Sequence, residues 1–219
     1  LFENEDGDAF ARYAKTGADA NAFTSFDKTC YLFSCADHFK QSFEYLLSFV
    51  QDPYFTAQTV QKEQGIIGQE IRMYEDEPNW RVFFNLLGAL YHNHPVRIDI
   101  AGTVDSIAQI DDQLLYRCYH TFYNLNNMVL AVSGNFDIEE AIEVIDSKLK
   151  PAEDITIERK EVDEPPTVAK SEVVQKLAVS IPLFAIGFKE KPESGMDLLK
   201  AEIELDILMK VIAGTGSAL

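Results

Sequence analysis

The stretch from Pro151 to Lys170, PAEDITIERKEVDEPPTVAK, constrains the fold of this 219-residue chain more than any other. It holds three prolines, many charges and no helical periodicity, the composition of a linker and not of a core element. The one regular element it invites is an edge strand at Ile155 to Ile157. About 150 residues precede it, enough for one domain. Roughly 50 follow, too few to close a core of their own. The chain therefore reads as a domain over residues 1–150, a linker over 151–170 and the beginning of a second domain over 171–219.

Within the first part, Asn21 to Phe33 is rich in Phe, Thr and Tyr and reads as a strand, preceded by a short helix from Asp8 to Lys15 that Gly17 stops. Phe39, Phe43, Leu46, Leu47 and Val50 recur at helical spacing until Asp52-Pro53. Thr56 caps a helix to about Tyr74, and Pro78 suits the first turn of the next. Thr103, Asp111 and Asp137 each look like a helix cap, and Asn127 to Ser133 is a compact apolar strand. Past the linker, two strands (Val173 to Ile181, Leu183 to Phe188) lead into a helix from about Ser194 to Gly214. Strand, helices, strand, helix is an α+β or α/β order.

Charge narrows the partners. Lys and Arg number 19 against 36 Asp and Glu, a net of −17. Nucleic acid and anionic membrane both want a basic footprint, which this balance lacks. No apolar run approaches the roughly 18 residues of a membrane span. The sequence begins at Leu1 without a Met and shows no secretory signal, which reads as a cytoplasmic protein met as a fragment. Cys30, Cys35 and Cys118 are an odd number and form no disulfide framework; free thiols are favoured over a three-cysteine zinc site.

The segment TAQTVQKEQGIIGQEIRMY carries the most chemistry. On a helix, Val60, Glu63, Ile67, Glu70 and Tyr74 fall on one stripe, which places two carboxylates where apolar side chains are usual. Either both are buried and therefore paired or metal-bound, or the buried face is Val60, Ile66, Ile67 and Ile71 with the glutamates at its edge. Gly65 and Gly68 weaken this helix and leave room for a neighbouring element. His38, His92, His94 and His120 make no H-x-x-H, H-E-x-x-H or H-x-x-E-H, and read as polar residues at helix ends. No nucleophile elbow or phosphate loop is present. Gly214 to Ser217 follows a helix and is a helix stop.

These residues resemble the inverted-motif zinc metallopeptidases of the pitrilysin, insulysin and mitochondrial processing peptidase group. LFENEDGDAF resembles the segment after that family's H-x-x-E-H helix, and GADANAFTSFDKTCYLF its substrate-binding edge strand. KEQGIIGQEIRMYEDEP resembles the helix of the third zinc ligand. HPVRIDIAGTVDSI, FYNLNNMVLAVSGNFD and IAGTGSAL continue the order, and LF-x3-DGD is similar to the small bacterial cytoplasmic branch.

The resemblance implies an α+β fold, an antiparallel sheet with packed helices, followed by the start of a similar unit. It implies that Glu70 ligates zinc, that Glu63 supports the metal site, and that Asn21, Ala22, Phe23 and Thr24 pair with a peptide substrate. Two upstream histidines and a general-base glutamate would complete the site, and this sequence contains neither them nor the Arg and Tyr of the family's second half. The 219-residue chain alone is thus expected to be inactive and to bind zinc weakly or not at all. A homodimer, or a heterodimer with a paralogue, fits the same family. Two rivals stand beside the enzyme: a non-catalytic family member that binds substrate or supports an active paralogue, and an unrelated α/β binding domain with its pocket far from Glu70.

Overall fold

The computed structural model describes residues 3–5, 7–190, 193–214 and 216. Leu1, Phe2 and Asp6 of the first family-like segment, and Thr215 and Ser217 to Leu219 of the last, lie outside the described residues. The chain divides into two compact units, Leu1–Arg81 with Ile98–Val162, and Val82–Arg97 with Asp163–Leu219. The second unit therefore takes in residues 82–97, and its later part begins at Asp163, inside the Pro151–Lys170 stretch.

The first unit opens with β1 (Glu3–Asn4) and β2 (Gly7–Asp8), a short antiparallel pair. Helix α1 (Ala9–Lys15) follows, its N-terminus capped where Asp8 Oδ1 accepts from the Phe10 amide at 2.9 Å. Gly17, at φ 70, closes it, with the Ala18 amide returning to the Tyr13 carbonyl at 3.1 Å.

β3 (Asp19–Thr24) and β4 (Thr29–Ser34) form an antiparallel hairpin, in register from Asp19 opposite Ser34 to Thr24 opposite Thr29. The expected single strand over Asn21 to Phe33 is thus two strands and a turn. Ser25 makes that turn with polar groups, its amide donating to the Lys28 carbonyl at 2.8 Å and its hydroxyl to Asp27 Oδ1 at 2.8 Å.

Helices cover the hairpin. α1 packs on β3, and α2 (Phe39–Gln51) packs on β4 and on α7 (Ile138–Lys148). Ala9, Tyr13, Ala18 and Tyr45 make one buried cluster; Phe43, Leu47, Ala141 and Val144 make another. α3 (Ala57–Glu75) starts in a reciprocal cap between Thr56 and Thr59. α4 (Pro78–Leu90) has Pro78 at its first position and continues into the second unit. Thr103 caps α5 (Val104–Ile107), Asp111 caps α6 (Asp112–Phe122), and Asp137 caps α7, all as their sequences predict.

Four expected strands differ. Residues 128–133 follow a short 3-10 turn, Leu125–Asn127, without joining a ladder, and Val129 is 96% exposed. Ile155 to Ile157, and in the second unit Val173 to Ile181 and Leu183 to Phe188, are also outside regular structure. Runs of branched and aromatic residues satisfy the local preference for extended backbone, but a strand exists only where a partner takes its N–H and C=O groups. No described residue supplies that partner.

The second unit is tied by one carboxylate. Glu164 accepts from the His92, Asn93 and His94 amides at 2.7 to 2.8 Å and from Lys189 Nζ at 2.7 Å. Lys189 also lies over the Tyr91 ring, and the Lys170 amide reaches the Ala89 carbonyl at 2.9 Å. α8 (Gly195–Ala213) ends at Gly214 and has no buried residue. No described helix is long and apolar enough to cross a membrane. The whole is an α+β fold of small antiparallel sheets with packed helices.

Candidate metal centre and peptide-binding edge

Helix periodicity sets the two glutamates of α3 two turns, roughly 10 Å, apart along its axis. The buried face of α3 runs through Val60, Gly68 and Ile71 with Ile67 half-buried, so of the expected apolar face Val60, Ile66, Ile67 and Ile71 only Ile66 is exposed. Glu63 is half-buried and Glu70 exposed. Neither glycine is pressed upon, because a Cβ at Gly65 or Gly68 would meet nothing within 4 Å.

Glu63 lines a cavity of about 310 Å³ whose other walls include Tyr31, Phe55, Val60, Ile67 and Ile110. Gln64 spans its edge, donating to the Ile107 and Ile110 carbonyls at 3.2 and 2.7 Å. Tyr31 and Tyr123 share a hydrogen bond of 2.8 Å, and burial pushes the Tyr31 phenol well above its ordinary range. Tyr119 donates to the Val50 carbonyl at 2.8 Å and is pushed up to about 12, chiefly by burial and also by the Asp52 carboxylate.

Glu70 faces solvent with one oxygen engaged: Oε1 accepts from the Tyr74 hydroxyl at 3.1 Å. That bond, more than burial, raises the Tyr74 phenol above its usual value and keeps it a donor. Tyr74 stacks on Trp80 with centroids 4.2 Å apart and planes 14° from parallel. Trp80 Nε1 donates to both Asp99 oxygens at 3.2 and 3.0 Å, and Arg81 Nη1 meets Asp99 Oδ2 at 3.3 Å.

A carboxylate oxygen belongs to the ordinary donor set of zinc. Among the described residues, however, no three His, Cys, Asp or Glu side chains converge to hold a metal. Glu70 is a candidate contributor to a metal site and does not make one with its neighbours in this chain. The four histidines go elsewhere. His94 Nδ1 accepts from the Val96 amide at 3.2 Å, His38 sits beside Asp37, and His120 stacks on Tyr116. His92 Nε2 is buried without a hydrogen-bond partner. Cys30, Cys35 and Cys118 are all free thiols.

Asn21, Ala22, Phe23 and Thr24 occupy β3, whose ladder uses only the edge toward β4 among the described residues. Asn21, Phe23 and Thr24 are exposed. The Ala22 amide donates to the Asn21 side chain at 2.8 Å, so an edge donor is shielded by its own neighbour.

Two family models take up most of the chain. The insulinase model (peptidase family M16) matches residues 3–104, and the model described as the peptidase M16 inactive domain matches 109–219. The chain belongs to the insulinase peptidase family. YmfH of Bacillus subtilis (strain 168), named an uncharacterized zinc protease, is 47% identical over 223 residues, covering 100% of this chain and 52% of that protein. YmxG of the same organism, also named an uncharacterized zinc protease, is 32% identical over 124 residues, 56% of this chain and 30% of that one.

An M16-like peptidase of Alicyclobacillus acidocaldarius superposes with a TM-score of 0.83 at 38% identity, over 99% of this chain and 52% of its own. The first half of the Escherichia coli periplasmic protease PqqL superposes at 0.56 and 25% identity, over 68% of this chain and 35% of its own. This insulinase-family chain thus spans about half the length of YmfH.

Sequence reasoning had placed Glu63, Glu70 and Tyr74 on one stripe but missed that Trp80 and Asp99 hold Tyr74. The four-residue step from Glu70 to Tyr74 was the available signal; nothing local marks Asp99.

Proposed function

We propose that this chain is part of a longer zinc-dependent metalloendopeptidase that cleaves unfolded or small peptides. The exposed Glu70 on α3, held through Tyr74 with one oxygen free, carries the reading, together with the zinc-protease names of its relatives. Glu70 serves as one zinc ligand beside two histidines of an H-x-x-E-H segment outside these 219 residues, and Glu63 supports the site from one side. The metal supplies Lewis acidity and an activated water. Asn21 to Thr24 receive the peptide as an added strand once the Asn21 side chain releases the Ala22 amide.

A paired arrangement, with a second half or a paralogue closing over the substrate, suits a chain that spans half of YmfH. The three free thiols suit a reducing cytoplasm. The second reading is a non-catalytic member that binds substrate. The match of residues 109–219 to the model described as the peptidase M16 inactive domain is the observation on its side.

Glu70→Gln in the full-length protein decides between them. The peptidase reading expects zinc content, measured by emission spectrometry, and peptide cleavage both to be lost. Zinc content equal to that of the unaltered protein would sink it. The 219-residue chain alone is expected to show neither cleavage nor one tight zinc per chain.

A further inference from the structure

We infer that Tyr74 is a positioning residue for Glu70, held in place by Trp80 and, through Trp80, by Asp99. The inference rests on Glu70 acting as a metal ligand, as proposed above.

An exposed glutamate one turn from a tyrosine ordinarily gains little from the contact, because two mobile side chains must be held in one geometry. Here one of the two is already held. The Tyr74 ring lies flat on Trp80 at 4.2 Å, and the indole is anchored by its N–H to both oxygens of Asp99. Asp99 is itself fixed from two further sides, by Arg81 Nη1 at 3.3 Å and by the Ala101 amide at 3.1 Å. Trp80 is placed from its backbone as well, since its amide donates to Glu77 Oε2 in the first turn of α4.

The ordering cost of the tyrosine is therefore met within the fold, and its hydroxyl arrives as a fixed donor. It takes Oε1 and leaves Oε2 as the open oxygen of Glu70. Groups that hydrogen-bond a ligating carboxylate orient it and commonly govern metal affinity by about 10- to 100-fold.

The test uses the full-length protein, with Zn²⁺ affinity measured by chelator competition and the visible spectrum of the Co²⁺-substituted form as a second readout. Tyr74→Phe keeps the stacked ring and removes only the hydroxyl. It is expected to weaken Zn²⁺ about tenfold and to shift the Co²⁺ bands, with the Tm of the metal-free protein unchanged. Trp80→Leu, which keeps both Tyr74 and Glu70 but removes the stack, is expected to weaken Zn²⁺ in the same direction.

If Tyr74→Phe binds Zn²⁺ within twofold of the unaltered protein and keeps its Co²⁺ spectrum while Glu70→Gln loses the metal, Tyr74 has no positioning role and Glu70 remains a ligand. If Glu70→Gln itself keeps the metal, the ligand assignment fails and the role of Tyr74 falls with it.

Discussion

Replacing both glycines of α3 by alanine stabilises this chain. Gly65 and Gly68 lie inside the 19-residue helix, where glycine costs about 1 kcal/mol against alanine through the backbone freedom lost on folding. Glycine is worth that cost where a neighbour comes too close for a Cβ. At both positions an added Cβ meets nothing within 4 Å, and neither has a positive φ.

Each substitution should therefore contribute close to the full propensity difference, about 2 kcal/mol for the pair. At roughly 2–4 °C per kcal/mol for a chain of this size, the double variant should melt about 4–8 °C higher. Circular dichroism at 222 nm and urea titration read both quantities. The reasoning is refuted if Gly68→Ala lowers the midpoint while Gly65→Ala raises it. Gly68 is buried and Gly65 exposed, so that split would mean that backbone or side chain crosses the Gly68 face. The same pair in the full-length protein asks a second question. A Gly68→Ala that stabilises the chain yet abolishes zinc uptake would locate another segment against this face, two residues from Glu70.

Two further outcomes test the packing and the charge network. Phe43 is 1% exposed between α2 and α7 and stacks on Phe39 at 5.1 Å, so Phe43→Ala should cost about 3–5 kcal/mol by urea titration, as a large cavity does. Burial pushes the Glu164 carboxyl up, but Lys189 and the three amides of His92 to His94 outweigh it and hold it well below the ordinary 4.5. A lowered value in the folded state means the contribution is full above the ordinary carboxylate range and is lost as pH falls below it. Glu164→Gln should thus weaken the chain at neutral pH, and the gap to the unaltered protein should close only in acid below that range. A gap that closes between pH 7 and 5 would refute the sign.

What the sequence made legible follows the reach of each interaction. Thr56, Thr103, Asp111 and Asp137 cap their helices because a capping side chain and its amide partner lie within three residues of each other. The turn at Ser25 to Lys28 is as local but was read as strand, since it is built from a serine and an aspartate instead of glycine or proline. Glu63, Glu70 and Tyr74 could be put on one stripe because a helix fixes the relative directions of its own side chains.

Asp99 could not be tied to that stripe: it reaches Trp80 from 19 residues away, through a fold that brings the two together. The strands read at 127–133 and 173–188 fail for the same reason in reverse. Their β-branched and aromatic residues state only a willingness to be extended, and that willingness becomes a strand when a second segment presents its own N–H and C=O groups. Among the described residues those stretches join no ladder. Val129, at 96% exposure, and Phe184, at 84%, are among the apolar side chains these stretches leave in solvent.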